Sequence, residues 1–344
     1  LTAYIIRRLL ILPIILLGIT LIIFSMIWML GPDRLLASYI KSPEALKTPD
    51  AKERLIAKYG LDQPIPTQYL KWLGNILKGD FGYSNIAKKP VQEAIAERLP
   101  YTLELAMWAI IPVIVGGIWL GVISGTHHNQ PLDHGIRIFS LIGWSMPDFV
   151  FGLLILLLFY TVLGWFPPGY LSYESEAILR SAEWHKYTNM ATIDSILNLN
   201  FSVFVDAFRH LIGPILTIAY LWWAYVLRIT RSSMLEVLKK DYIRTARAKG
   251  LAENVVINKH ARKNALIPVV TVAGGMLVSL LAGVVIVESV FNRPGIGRFT
   301  ADAATQLDYF SILGSALVFS VILVLVNLIV DISYAFIDPR IRLS

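Results

Sequence analysis

The sequence predicts an all-α membrane protein of six transmembrane helices, with the N and C termini both cytoplasmic. Three observations carry that prediction. The 344 residues are 56% hydrophobic and only 16% charged, whereas a soluble domain carries about 25% charge. Six runs reach or approach the roughly 20 apolar residues with which a helix crosses a hydrocarbon core. Lys and Arg also concentrate in alternate loops, the pattern of the positive-inside rule.

The first run, Leu9 to Leu30, is uncharged over 22 residues and follows Arg7 and Arg8. It is longer than a signal-peptide core and exits through Gly31-Pro32-Asp33 without a small-residue cleavage site, so 1–30 is expected to be a retained N-terminal span. Leu105 to Gly125 is free of charge, and Ile138 to Gly164 is broken only by Asp148. Leu211 to Leu227 is shorter and flanked by aromatics. Ala265 to Val287 and Phe310 to Val330 are again charge-free.

Residues 231–267 carry nine Lys or Arg against three acids, which places this loop inside. Residues 165–209 carry Arg180, Lys186 and Arg209 against five acids, which places that loop outside. Arg7, Arg8, Arg340 and Arg342 put both ends inside. The net charge of +7 is thus topological, and nucleic acid is not an expected partner.

The external segment 31–100 shows helical apolar spacing at Leu55, Ile56 and Tyr59, then at Tyr69, Leu70, Leu73, Ile76 and Leu77. Gly60, Pro64 and Pro66 punctuate it. Two short amphipathic helices are expected, forming a cover over the bundle, because the segment is too small for a substantial core of its own. Residues 101–344 hold the other five spans.

Chemistry-bearing motifs are absent from the sequence. It has no cysteine, no phosphate-cradling G-x-x-x-x-G-K-[ST], no H-E-x-x-H and no G-x-S-x-G. A non-catalytic chain without its own cofactor is expected. His127, His128 and His134 read as solvated loop residues. Asp148 follows Pro147 inside the third run. It is either a cation or proton site, or an acid at a helix break facing the bundle interior or a wet cavity. Asp148 and Glu288 are the candidates for a pathway or gate. Glu104 and Glu288 lie near outer span ends and Asp331 near an inner one, where capping or interfacial roles suffice.

Residues 241–250, "DYIRTARAKG", read as a short basic helix. Asp241 can cap its start, Gly250 suits its stop, and Lys249 complements the dipole of its last turn. Ala246 and Ala248 are small enough for close approach of a partner backbone. Tyr242, Arg244 and Arg247 offer stacking and carboxylate pairing. A second helical stretch, "LAENVVINKHARKNALIP", runs into the fifth span at Pro268. A hairpin of this kind is expected to dock a soluble protein.

The tract "EVLKKDYIRTARAKGLAENVVINKHARKNALIPVVT" resembles the cytoplasmic coupling segment of permease subunits of binding-protein-dependent ABC importers, in the peptide/nickel branch. "GDFGYSNIAKKPVQEAIAERLPYTLELA", "SMPDFVFGLLILLLF", "VVIVESVFNRPGIGRF" and "NLIVDISYAFIDPRIR" are similar to that family's other signatures, in the same order. The resemblance implies a coupling helix at Asp241, Tyr242, Arg244, Thr245, Ala246, Arg247, Ala248, Lys249 and Gly250. Thr245-Ala246-Arg247 stands where Glu-Ala-Ala is usual, and Phe310 where proline is frequent. It further implies a second related permease, one or two ATPase subunits that bind ATP and Mg, an external binding protein, and alternating access in the cell membrane. The implied substrates are di- or oligopeptides, with nickel a minor alternative. Short oligosaccharides are a further option, since Tyr170, Tyr173, Trp184 and Tyr187 could stack on sugars. The competing readings are an ion-coupled secondary carrier centred on Asp148 and a scaffold protein.

Overall fold

Apolar chain in a bilayer must satisfy every backbone N–H and C=O within itself, and helix does so locally. The computed structural model describes residues 2–32, 36 and 51–337, and they are overwhelmingly helical. The remainder of 33–50, Arg340 and Arg342 lie outside the described residues, as do the side chains of Arg7, Arg8 and Asp331. By contact the chain falls into two units, residues 1–100 with 294–344 and residues 101–293.

In the first unit, α1 (Thr2–Met29) packs along the final helix. The predicted amphipathic pair is present as α2 (Ala51–Tyr59) and α3 (Ile65–Leu77), separated at Gly60, whose φ is +69°. Pro64 precedes α3, and Pro66 occupies its first turn, where no N–H partner is needed. Trp72 and Ile76 of α3 pack against Ile19 and Ile23 of α1.

A short hairpin then pairs the two-residue strands β1 (Tyr83–Ser84) and β2 (Lys89–Pro90), an element the hydropathy pattern does not reveal. Asp308, 2% exposed, fastens it by accepting from Ser84 Oγ at 2.9 Å and from the Ile86 N–H at 3.3 Å. Helix α4 (Val91–Thr126) begins directly after the hairpin.

In the second unit, α4 from residue 101 packs with α5 (Pro131–Ser145), α6 (Asp148–Ile155, continuing as a π-helix over Leu156–Val162) and α9 (Phe201–Val237). Two short helices, α7 (Tyr173–Leu179) and α8 (Ala191–Leu197), precede α9. The hairpin after α9 comprises α10 (Asp241–Ala248), α11 (Glu253–Val255), a π turn over Val256–Ala261 and α12 (Arg262–Ala265). Then comes α13 (Ile267–Val290). The first unit resumes with α14 (Ile296–Thr305) and α15 (Tyr309–Ile337).

Leu105 and Val113 of α4, Leu211 and Ile218 of α9, and Met276 and Val287 of α13 meet in one buried core. Gly117, Gly121 and Gly125 of α4 let α9 come close. A Cβ at any of them would lie under 3.0 Å from Val226, Thr230 or Met234 respectively. Where hydrocarbon surrounds both helices, close backbone packing of this kind drives association. Trp223 covers the adjoining Gly116 and donates its indole N–H to the Pro112 carbonyl at 2.8 Å.

Two predicted spans need correction. The run from Ile138 to Gly164 is not one helix: α5 and α6 meet at 107° across Met146-Pro147. Proline disfavours helix in the residue before it and removes a donor, which breaks the run at this point. The fourth helix covers 201–237 rather than 211–227. Its ends carry Asp206, Arg209, Arg228 and Arg231, so hydropathy reads only the middle. Among the described residues, four helices are long and apolar enough to cross a membrane, and five if the bent pair counts as one span.

Candidate functional site

The hairpin after α9 is built from an apolar seam and a polar outer face. Ile243 and Ala246, three residues apart on α10, point inward against Met234, Val256, Ala261 and Ala265. Asp241, Tyr242, Arg244, Thr245, Arg247, Ala248 and Lys249 are exposed. The small side chain of Ala246 therefore serves packing within the hairpin, and only Ala248 is left to admit a partner's backbone. The N-cap is Lys240, which makes no side-chain cap. Asp241 is the first helical residue, so it does not cap the helix. It faces solvent beside Arg244, at 3.6 Å.

The stop of α10 follows the sequence expectation. Gly250 adopts φ +75°, its N–H bonds to the Arg247 carbonyl at 2.9 Å, and the Leu251 N–H reaches back to Ala246 at 3.4 Å. This is the two-bond Schellman ending, which requires a left-handed residue after the last turn. Arg247 makes a fork to Glu253 across the corner, Nη2 to Oε1 at 2.6 Å and Nε to Oε2 at 3.0 Å. The guanidinium holds the Glu253 carboxyl below its usual range. Asn264 Nδ2 donates to the Tyr242 hydroxyl at 2.9 Å, tying α10 to α12. Both cations of α10, Arg244 and Arg247, thus have intramolecular partners, while Lys249 follows at its C-cap. Among the described residues, no carboxylate lies within ion-pair distance of Lys249.

Above this hairpin, Asp133 joins α4, α5 and α9. It accepts from Arg231 Nε at 2.8 Å and Nη2 at 2.7 Å, from the Asn129 N–H at 3.0 Å, and from Ser124 Oγ. His127, His128 and His134 are exposed around it. A buried acid so fully partnered fixes three helix ends.

A second buried polar cluster lies where α13 ends. Asn292 is left-handed (φ +55°), and the Arg293 N–H bonds to the Glu288 carbonyl at 2.8 Å, which closes the helix. The Arg293 side chain, 1% exposed, then meets Glu104 Oε2 at 3.2 Å and lies 5.0 Å from the Tyr170 ring centre. Glu104 Oε1 accepts from the Thr192 N–H at 2.8 Å and Oγ1 at 2.7 Å. Nearby, Glu288 accepts from Thr102 Oγ1 at 2.6 Å. Neither Glu104 nor Glu288 is exposed at all. Interfacial or capping roles therefore do not describe them: each is held by hydrogen bonds inside the protein.

Asp148 is the first residue of α6, half-buried, where an acid complements the partial positive charge of a helix start. Its place is the helix break, and it does not interrupt a continuous span.

Two family models match. The model described as "Binding-protein-dependent transport system inner membrane component" covers residues 117–343, and the corresponding N-terminal model covers 1–106. The chain belongs to this family. It is 41% identical over 341 residues to an oligopeptide transport system permease protein of Bacillus subtilis, covering 99% of each chain. A di/tripeptide permease protein of Pseudomonas aeruginosa is 38% identical with 94% of each chain covered. A dipeptide permease protein of Escherichia coli is 37% identical with 98% of each covered. The crystal structure of an amino acid ABC transporter overlays with a TM-score of 0.47 at 13% identity, over 71% of this chain and 94% of that one.

As an inner membrane component, the protein is a multi-pass cell-membrane protein. Of the aromatics that could stack on sugars, Tyr170 and Trp184 line one pocket, and the other two lie apart from it. Tyr170 is engaged with Arg293 and Tyr101, whereas Tyr173 is 93% exposed on α7 and Tyr187 is 60% exposed beyond it. The sequence reading missed the Asp133 network, the Glu104–Arg293 pair and the glycine seam. Only the last had a local signal, the G-x-x-x-G-x-x-x-G spacing of 117, 121 and 125.

Proposed function

We propose that this chain is a permease subunit of an ATP-driven importer that passes di- or oligopeptides from an external binding protein into the cytoplasm by alternating access. The observation that carries the reading is the end-to-end relation to three peptide permeases at 37–41% identity. Peptide is preferred to oligosaccharide on that ground. Six spans follow if α13 joins α1, α4, the α5–α6 pair, α9 and α15, since its 24 residues reach about 36 Å. Both termini and the α10 hairpin then lie in the cytoplasm.

In this reading the chain is non-catalytic, and separate ATPase subunits bind ATP and Mg and seat the exposed face of α10. A second related permease completes the pathway. Closure of the ATPases moves α10, and its rigid attachment through Ile243, Ala246 and Tyr242 carries the motion into α9 and α12. Linkage requires the converse, that binding-protein docking favours ATPase closure.

Two measurements test this. Cells carrying the chain should take up a labelled dipeptide with ATP but without a proton or sodium gradient, and dependence on a gradient would favour the carrier reading. In the purified assembly, Ala248→Glu should lower ATPase retention roughly tenfold while the chain still inserts, because the change lies on the docking face. Ala246→Glu should instead damage the hairpin itself, since it buries a charge against Ala261 and Val256. Normal uptake by Ala248→Glu would sink the docking assignment.

A further inference from the structure

A groove between α5 and α9 lies apart from the docking face and shares only Arg231 with the buried clusters. It lies wholly within residues 101–293, with a volume of about 600 Å³. The helices run antiparallel, since Asp133 meets Arg231 while Gly143 meets Tyr220. Arg137, Leu141 and Trp144 share one face of α5, and Leu227, Arg231 and Leu235 one face of α9, at helical spacing. The end nearest the 127–130 turn is polar, with His134, Arg137 and Arg231, and the deeper wall is apolar, with Leu141, Trp144 and Ala224.

The charges in this groove are not equivalent. Arg231 is committed to Asp133. Arg137 and Arg228 are exposed, and among the described residues no carboxylate lies within ion-pair distance of either. Arg228 sits 5.8 Å from the Trp144 ring centre. The groove therefore presents two uncompensated guanidiniums beside an apolar channel. A lone phosphate would satisfy the cations but leave most of the volume and the apolar wall without a partner. An amphiphile with an anionic head and an apolar tail meets both demands.

We propose that this groove binds an anionic phospholipid of the inner leaflet, its phosphate between Arg137 and Arg228 and an acyl chain along Ile138, Leu141 and Leu227. Basic pockets between transmembrane helices on the cytoplasmic side suit such headgroups. The proposal rests on the topology given above for the inner ends of α5 and α9.

The test is native mass spectrometry of the full assembly after reconstitution in equal parts phosphatidylglycerol and phosphatidylcholine. Wild-type protein should retain phosphatidylglycerol in preference. The double variant Arg137→Gln/Arg228→Gln should retain about fivefold less, and Arg137→Lys/Arg228→Lys should restore much of the loss. Lys71→Gln/Lys78→Gln, which removes the same charge on the outer segment, should change nothing. Equal retention by the Gln double variant, or cross-linking of Leu141→Cys to the second permease subunit in place of lipid, would overturn the proposal. Displacement of the lipid by excess inorganic phosphate would also overturn it, marking a small-anion site. Topology is read separately. The chain has no cysteine, so Ser232→Cys should react with an impermeant thiol reagent only in inverted vesicles. Labelling from the outer face would overturn the topology, and with it the inner-leaflet assignment, whatever lipid the detergent-released protein retains.

Discussion

Arg293→Met is expected to cost about 3–5 kcal/mol, the range for breaking a buried pair and leaving one charge behind. Glu104 would keep only its two hydrogen bonds from Thr192, at zero exposure. The 165–200 segment would also lose the contact between Arg293 and Tyr170, whose hydroxyl accepts from the Ala191 N–H at 2.6 Å. Thermal unfolding in detergent, followed by size-exclusion fluorescence, measures the effect. The second arm is Glu104→Gln with Arg293→Met, which removes both charges and should recover a large part of the loss. The Nε and Nη1 donors of Arg293 have no hydrogen-bond partner among the described residues, so the wild-type pair is itself imperfectly compensated. If the double variant were no more stable than Arg293→Met, the charge pair would not be the cause, and the lost packing on Tyr170 would be.

The second large effect is expected at the glycine seam. Gly121→Leu places a branched side chain where even a Cβ would collide with Thr230 and approach the Leu227 carbonyl at 3.0 Å. Flexible side-chain ends can yield to an intruder, but a backbone carbonyl and a β-branched residue cannot. Overpacking of this kind costs about 1–3 kcal/mol or more, and here it must push α4 from α9 along their whole contact. The protein should fail to accumulate in membranes, or elute as aggregate. Gly135→Leu is the control, because nothing lies within 4 Å of a Cβ there. Normal accumulation of Gly121→Leu would show that the two helices are not held at the seam.

The sequence reading succeeded where one local pattern settles structure. The apolar runs foretold α1, α13 and α15, and the 3.6-residue spacing with Gly60 and Pro64 foretold α2 and α3. The glycine after Lys249 foretold the stop of α10, because only that position needs a left-handed backbone. It failed where structure depends on distant partners. Nothing around Glu104 announces Arg293, 189 residues away, so an acid near a span end read as wet when it is buried. Asp241 looked like a cap because it precedes an apolar-periodic stretch, and the helix starts one residue earlier than that reading allows. Ala246 and Ala248 are indistinguishable in sequence, and only the packing of Val256 and Ala261 shows which one faces inward. The break at Pro147 was visible as a residue, but the size of the bend was not.

On the function proposed above, the outward face of α10 is where a separate ATPase drives this permease. The most direct test is a photo-cross-linking residue placed at Ala248 in native membranes, with the captured protein identified by mass spectrometry. A soluble nucleotide-binding subunit is expected at position 248, and at the buried position 246 only cross-links within the chain. Capture of no protein at 248, or of the same ATPase equally from 246, would contradict that role for α10.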